Sequence, residues 1–382
     1  MIVTRDTVKR IARECGFELA GIASAEPPDD FARFEGWVAE GHAGEMRYLT
    51  DRRAEVRRDV RNLLPSARSV VAVGKLYNQS SAPPGPGDAV ISRYAWGVDY
   101  HDVIRAGLEK LVDRLRAADR DITFDYKICV DTAPVLERTF ARLAGLGWIG
   151  KNTCLINEPL GSWFFLGELI TSLEIAPDSP PPDRCGTCSR CIDACPTDAF
   201  VERAETPNAT ASWAPSWAID SRRCIAYFTI ELRGPIPEEY RAAMGAHVFG
   251  CDICQDVCPW NSRAPVTECF DNQHSSINNA LPLDECARLS ESDFRAAFKD
   301  SAFSRAKYAG FLRNVAVAMG NSGLARFRQP LEMLAAHADP IVVEHARWAL
   351  AQLSKLTPDS APDARDQESK ESFRNRSSLT LR

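Results

Sequence analysis

The sequence predicts an α+β protein built of three consecutive parts: an N-terminal α/β region (1–176), a cysteine-rich domain (177–270) and a C-terminal stack of short helices (290–356), with a disordered tail at 357–382. Three observations carry this reading. Short apolar runs alternate with amphipathic patterns in the first part. Seven of the 13 cysteines fall in two short runs, Cys185 to Cys195 and Cys251 to Cys258. From Asp293 to Leu356 the pattern is helical again, broken at Asp339-Pro340.

With 382 residues and 45% hydrophobic content, the chain is long enough for two or three packed domains. It carries 46 basic and 52 acidic residues, a formal net charge of -6. The surface as a whole therefore does not attract a polyanion, and any nucleic-acid contact needs a local basic patch. Met1 to Gly21 is charged and amphipathic, without the apolar core or cleavage site of a signal peptide. No apolar run reaches the ~18 residues of a membrane-spanning helix. The Arg-Arg pairs at 52–53, 57–58 and 222–223 are internal and are not read as export signals. The expectation is a cytoplasmic monomer with no membrane association and with thiols that are reduced or metal-bound.

In the first part, helices are expected over Arg5–Cys15, Phe31–Glu40 and Val103–Ala118, and strands over Ser69–Val73 and Tyr126–Val130. Ser80 to Gly87 is a Pro/Gly loop, and Gly145 to Asn152 is glycine-rich, as suits close backbone approach to a ligand. Pro177 to Asp183, with consecutive prolines at 180–182, reads as a linker. The cysteine-rich domain ends near Cys269, and Ala204 to Trp217 within it reads as a surface insertion. At the C-terminus, Phe311–Met319, Gly320-Asn-Ser-Gly323, Leu331–Ala336 and Val342–Leu353 suggest helix pairs of HEAT-like repeats.

The cysteines carry the chemistry. The first run is Cys185-x-x-Cys188-x-x-Cys191-x-x-x-Cys195-Pro196, the second Cys251-x-x-Cys254-x-x-x-Cys258-Pro259, and Cys224 lies between them. Spacings of two let one loop aim three thiolates at three corners of a cube. In two-cluster ferredoxins the fourth cysteine of such a run serves the other cluster. Cys185, Cys188, Cys191 and Cys258 are therefore assigned to one 4Fe–4S cluster, and Cys195, Cys224, Cys251 and Cys254 to a second. Structural zinc is the alternative, since Cys-x-x-Cys pairs also build zinc sites, but zinc does not account for the Cys-Pro endings. Cys15, Cys129, Cys154, Cys269 and Cys286 have no ligand spacing and are given no role.

Two clusters in one domain form an electron wire, which needs an acceptor. No phosphate-binding loop and no Gly-x-Gly-x-x-Gly between strand and helix is present, so a dinucleotide is not expected. Several segments together resemble the epoxyqueuosine reductase family. They are Ser92-Arg-Tyr-Ala95 with Asp99-Tyr-His101, Val130-Asp-Thr-Ala-Pro-Val-Leu-Glu137, Ala144 to Thr153, Gly161 to Glu168, Asp220 to Glu231, Phe249 to Asn261 and Leu312 to Asn321. The resemblance runs from residue 1 to about 355. Gly150-Lys-Asn-Thr153 stands where Gly-Lys-His-Thr is common in the family.

The resemblance implies a cobalamin-binding N-terminal domain of a type shared with reductive dehalogenases. It also implies reduction of epoxyqueuosine to queuosine at the wobble position of tRNA, with Asp131 as proton donor. Asp131 would need a raised pKa, supplied by burial beside an apolar corrin face. Arg57, Tyr94, Asp131, Lys151, Asn152, Ser162, Phe164 and Asp252 are the candidates for cobalamin contact. None of the six histidines sits in an Asp-x-His-x-x-Gly setting, so cobalamin is expected base-off with no protein histidine on cobalt. Arg305, Lys307, Arg313, Arg326, Arg328 and Arg347 in the helical C-terminus are candidates for the tRNA backbone. An external donor such as flavodoxin, or ferredoxin with its reductase, would feed the clusters. The alternatives are another cobalamin reductase, such as a dehalogenase, or a ferredoxin-like electron carrier that is not an enzyme.

Overall fold

The computed structural model describes residues 3–80, 82–119, 121–203, 216–267 and 281–356. The expected surface insertion lies almost wholly outside them, as do Cys269, His274 and the tail at 357–382.

The chain opens with α1 (Arg5–Glu14). Thr4 caps it by accepting from the Thr7 N–H, and Val8, Ile11 and Ala12, one turn apart, are buried. β1 (Leu19–Ser24), α2 (Phe31–Ala39) and the short α3 (Arg52–Val56), capped by Asp51, follow. Then come β2 (Ser69–Leu76), buried at every position, β3 (Asp88–Ile91), α4 (Tyr100–Ala118), β4 (Tyr126–Cys129) and α5 (Glu137–Leu143). The two-residue strands β5 (Trp148–Ile149) and β6 (Leu155–Ile156) lead to β7 (Phe164–Thr171).

β1, β2, β7 and β4 form one four-stranded sheet in that order, and every pairing in it is antiparallel. This corrects the expected α/β character of the N-terminal part. Alternating helix and strand patterns report local periodicity, whereas strand direction is decided by how the connections cross. Helices still cover both faces, which is why the Val70–Val73 run is uninterrupted. Val71, Val73 and Leu169 pack toward α1 and α4 through Val8, Ile104 and Leu108. Val70, Ala72 and Ile170 pack on the other face against Phe140 and Ala141 of α5. Phe140 is fully buried there, and truncating it to alanine would cost ~3–5 kcal/mol.

Pro177–Asp183 is not a free linker. Asp178 accepts from Lys9 Nζ at 2.6 Å and from the Ile22 N–H at 2.9 Å, which pins the segment to the first helix and strand. Next come α6 (Arg190–Asp193), β8 (Phe200–Glu202), β9 (Trp217–Ile219), α7 (Ile225–Ile230), α8 (Glu238–Arg241), β10 (His247–Phe249) and α9 (Ile253–Asp256). β10 pairs in parallel with β3, and β11 (Leu281–Pro282) pairs antiparallel with the same strand. One small sheet thus ties the N-terminal part, the cysteine-rich domain and the start of the C-terminal part together.

The C-terminal helices are α10 (Leu283–Arg288), α11 (Glu291–Phe298), α12 (Tyr308–Asn321), α13 (Arg328–Ala335) and α14 (Pro340–Leu356). α12 is buried along most of its length, and two of its polar residues, Arg313 and Asn314, are completely buried. Arg313 donates to the carbonyls of Leu232 (3.1 Å) and Gly234 (2.6 Å), and Asn314 to those of Thr229 and Val248, both at 2.9 Å. This corrects the assignment of Arg313 to a tRNA-facing surface: it clamps the helical part onto the cysteine-rich domain. Burial pulls its pKa down to about 10, which leaves it charged at neutral pH. Among the described residues no helix is long and apolar enough to cross a membrane.

Candidate functional site

Eight cysteines lie where the fold lets loops converge. The first run sits on the turn before and through α6, with Gly186 in a left-handed conformation (φ 53°) after Cys185. The second run starts after Gly250, also left-handed (φ 70°), and continues through α9. A Cβ on Gly250 would lie 2.4 Å from the Ser92 Cβ, so glycine is required there. α6 and α9 are neighbours.

The thiols fall into two groups by mutual influence. Burial pushes Cys191 up to about 11, and Cys185, Cys258 and Cys188 add to the push. Burial likewise pushes Cys251 up to about 12, with Cys224 and Cys195 adding to it. Burial also raises Cys224, and Cys195 contributes there too. Buried thiols that repel one another as thiolates are the donor set an iron cluster neutralises. Their surroundings fit as well. The Cys195 sulfur accepts from the Ala199 N–H at 3.3 Å. Cys224, Cys251 and Cys258 receive backbone N–H groups from the residues that follow them. The Trp148 indole N–H is buried without a hydrogen-bond partner, and Cys185 is its polar neighbour. Cys154, given no role on spacing, lies against Cys254. It belongs to no ligand spacing, so nothing in the sequence signals it.

Beside the thiols lies a cavity of about 480 Å³. Its apolar wall is formed by Phe34, Trp37, Val135, Leu136 and Trp217, and its polar wall by Asp30, Arg57, Asp131, Glu137, Arg138 and Arg203. Ile149 and Thr153, from the glycine-rich segment that leads to Cys154, complete the side toward the thiols. Two wall residues, Asp131 (φ 49°) and Thr153 (φ 63°), hold left-handed backbone. For β-branched Thr153 this is a strained conformation of a kind that collects at functional sites. Arg203 Nε and Asp30 Oδ1 are buried at the wall without partners. An apolar slot edged by unsatisfied polar atoms suits a flat macrocycle with amide substituents.

Asp131 on the wall makes three polar contacts. Arg305 donates to its Oδ2, His101 Nε2 lies 3.2 Å from the same oxygen, and its N–H donates to Glu137 Oε1 at 2.5 Å. His101 Nδ1 is 2.6 Å from Asp99 Oδ1, giving a chain of Asp99, His101 and Asp131. Burial alone would raise Asp131, but His101 and Arg305 outweigh it and hold the carboxyl well below the usual range. The expected raised pKa is thereby corrected: the cations flanking the group decide its charge. Burial alone would lower His101, but the Asp131 and Asp99 carboxylates hold it up at about 9. At neutral pH the proton therefore sits on the imidazole. Arg305, read from the sequence as a tRNA contact, instead meets Asp131 across 174 residues of chain.

Of the eight residues expected around a cofactor, Arg57 and Asp131 line the cavity. Arg57 is buried, donates to the carbonyls of Tyr48 (2.9 Å) and Arg53 (3.0 Å), and stacks over Phe34. The other six lie off this wall. Lys151 donates to the Gly186 and Cys188 carbonyls, and Asn152 to that of Cys254, so both brace the thiol loops. Ser162 bonds Gln255. Phe164 packs in the core beside Val70 and Ile170. Tyr94 packs on Tyr100 and Phe249. Asp252 accepts from the Ser92 hydroxyl and the Arg93 N–H, and burial raises it to about 6.

Half-buried thiols gathered on neighbouring loops, close to a cavity with a charged carboxylate, have the character of an iron–sulfur oxidoreductase. Comparison with known proteins makes the class specific. A 4Fe-4S double cluster binding domain matches residues 184–261, and the family described as epoxyqueuosine reductase QueG, DUF1730, matches residues 57–132. The epoxyqueuosine reductase of Gloeobacter violaceus is 43% identical over 85% of this chain and 98% of its own length. That of Xanthomonas campestris is 39% identical over 90% of this chain and 95% of its own. Among solved structures, an epoxyqueuosine reductase with a tRNA-Tyr epoxyqueuosine-modified stem loop superposes with a TM-score of 0.79 at 26% identity, covering 97% of each chain. The Streptococcus thermophilus enzyme gives 0.78 at 27% identity, over 98% of this chain and 94% of that one. The chain belongs to the epoxyqueuosine reductase family, oxidoreductases of tRNA modification.

Proposed function

We propose that this chain reduces epoxyqueuosine to queuosine at the wobble position of tRNA, with two 4Fe–4S clusters feeding a cobalamin in the cavity and Asp131 delivering protons. One observation supports this above all: Asp131 stands on the wall of the cavity that the glycine-rich segment joins to the thiol sets. Removal of the epoxide oxygen as water consumes two electrons and two protons. Bound clusters would supply electrons singly, and a bound reduced cobalt corrin would supply a nucleophile for the strained ring.

The chain's own residues then divide the work. Cys185, Cys188, Cys191 and Cys258 would hold one cluster, and Cys195, Cys224, Cys251 and Cys254 the other. Lys151 and Asn152 keep the thiol loops in register with the cavity. Ser162, Phe164, Asp252 and Tyr94 support the wall from behind, and Arg57 and the apolar residues would seat the corrin and exclude water. Asp131 receives a proton from His101, whose Nε2 is 3.2 Å away, and passes it toward the departing oxygen. Arg305 keeps the carboxylate aimed.

Exposed Lys307, Arg326, Arg328 and Arg347 provide the local positive charge for a tRNA backbone. The protein would act as a cytoplasmic monomer, with flavodoxin, or ferredoxin with its reductase, as donor. The test is anaerobic purification followed by a visible spectrum, iron and cobalt analysis and turnover on epoxyqueuosine-containing tRNA. Iron, cobalamin binding and turnover are expected; zinc alone, or iron with no affinity for cobalamin, overturns the proposal.

A further inference from the structure

Glu168 lies in the middle of β7, in the central sheet, and is completely buried. Both of its carboxyl oxygens lack a hydrogen-bond partner. It shares its face with Phe164 and Ile170, which pack against α5, and in register it faces Cys129 of β4 and Ala72 of β2. Glu137 opens α5 on that side. Its Oε1 accepts the Asp131 N–H, and its side chain lines the cavity. Three carboxyls thus run inward from the cavity: Asp131 at the wall, Glu137 beside it, and Glu168 behind.

A buried carboxylate with no partner is costly, so such a group takes a proton instead. Burial, and then the charges of Glu137 and Asp131, push Glu168 well above the usual carboxylate range. Burial and the charge of Asp131 push Glu137 up to about 8. The charged groups facing the pair are Asp131, Arg138 and His101 toward Glu137, with Arg57 across the cavity. Cys129 is the further titratable neighbour.

We propose that Glu137 and Glu168 form a proton store behind Asp131, with Glu168 held as a neutral acid. The inference rests on Asp131 as the donor to substrate. Each turnover consumes two protons. His101 supplies Asp131 from one flank, and the carboxyl pair supplies the second proton from the other. In that step the O–H bond of Glu137 breaks and an O–H bond forms on the Asp131 carboxylate. The Glu168 proton then refills Glu137, and between turnovers a proton from solvent returns to the pair through His101 and Asp131. No electrons move. Glu168 is a positioning residue, acting through Glu137.

The test is infrared spectroscopy of the holoenzyme at neutral pH, together with the pH profile of turnover, for wild type and Glu168→Gln. Wild type should show the carbonyl stretches of protonated acids, shifted in heavy water, and the Glu168 component should be missing from Glu168→Gln while that of Glu137 remains. The variant should lose roughly tenfold in turnover on the alkaline side and little on the acid side, where bulk protons replace the store. A spectrum without a protonated acid, or superimposable pH profiles, overturns the proposal. Should Glu168→Gln not fold, Glu137→Gln keeps it open to refutation, because the acid band must then persist while the alkaline loss remains. Asp131→Asn separates the two readings. Retained turnover in that variant removes Asp131 from the mechanism, whereas the infrared difference between wild type and Glu168→Gln reports on Glu168 whatever the role of Asp131.

Discussion

The thiol loops and the cavity wall do related work but are built in opposite ways. Seven of the eight thiols lie in two short runs with two or three residues between members, each run closing on a turn and a helix of four residues; Cys224 alone stands apart. The cavity wall draws on stretches from Asp30 to Ile219, and the partner that fixes the charge of Asp131, Arg305, comes from still further along the chain. A locally built site fails by losing a ligand. A site assembled at long range fails by degrees, as positions and charges drift.

That contrast can be broken or sharpened by experiment. The largest effect is expected from Cys224→Ala, which should lower iron from about eight to about four per chain and abolish turnover; full iron content would break the assignment of Cys224. Asp131→Asn should leave iron and cobalamin content intact while turnover falls ~10²–10⁴-fold. Unchanged turnover would show that the wall does not carry the proton. Arg313→Met, outside the cavity wall, should cost ~3–5 kcal/mol of stability in urea unfolding, because several carbonyls lose a buried cation. Turnover per folded molecule should hold.

The smallest effect concerns pH. His101 has its pKa raised from 6.5 to about 9, so its contribution to stability is complete below about pH 6.5 and is lost as pH rises through about 9. His101→Gln should flatten the melting temperature across that window. An unchanged slope would show that the Asp99–His101–Asp131 chain does not hold the proton.

Much of this molecule was legible residue by residue. The amphipathic spacing of Val8, Ile11 and Ala12, the apolar run of β2 and the three-residue rhythm of the cysteines each report a local preference, and each element formed close to its expected bounds. Arg305 and Arg313 were not legible in the same way. Both looked like surface cations on a helical end, yet one pairs with Asp131 and the other is sealed among carbonyls. Glu168 gave no sign either: an acid in an apolar strand shows its burial only once the strand's neighbours are known.

The sequence by itself determined the cysteine runs of a 4Fe-4S double cluster domain and the secondary structure around them, because both depend on atoms only a few bonds apart along the chain. Tertiary structure alone decided that the sheet is antiparallel, that flanking cations hold Asp131 down while burial pushes Glu137 and Glu168 up, and which arginines are buried. Those properties depend on solvent exclusion and on charges brought together from distant stretches, and no run of residues encodes them.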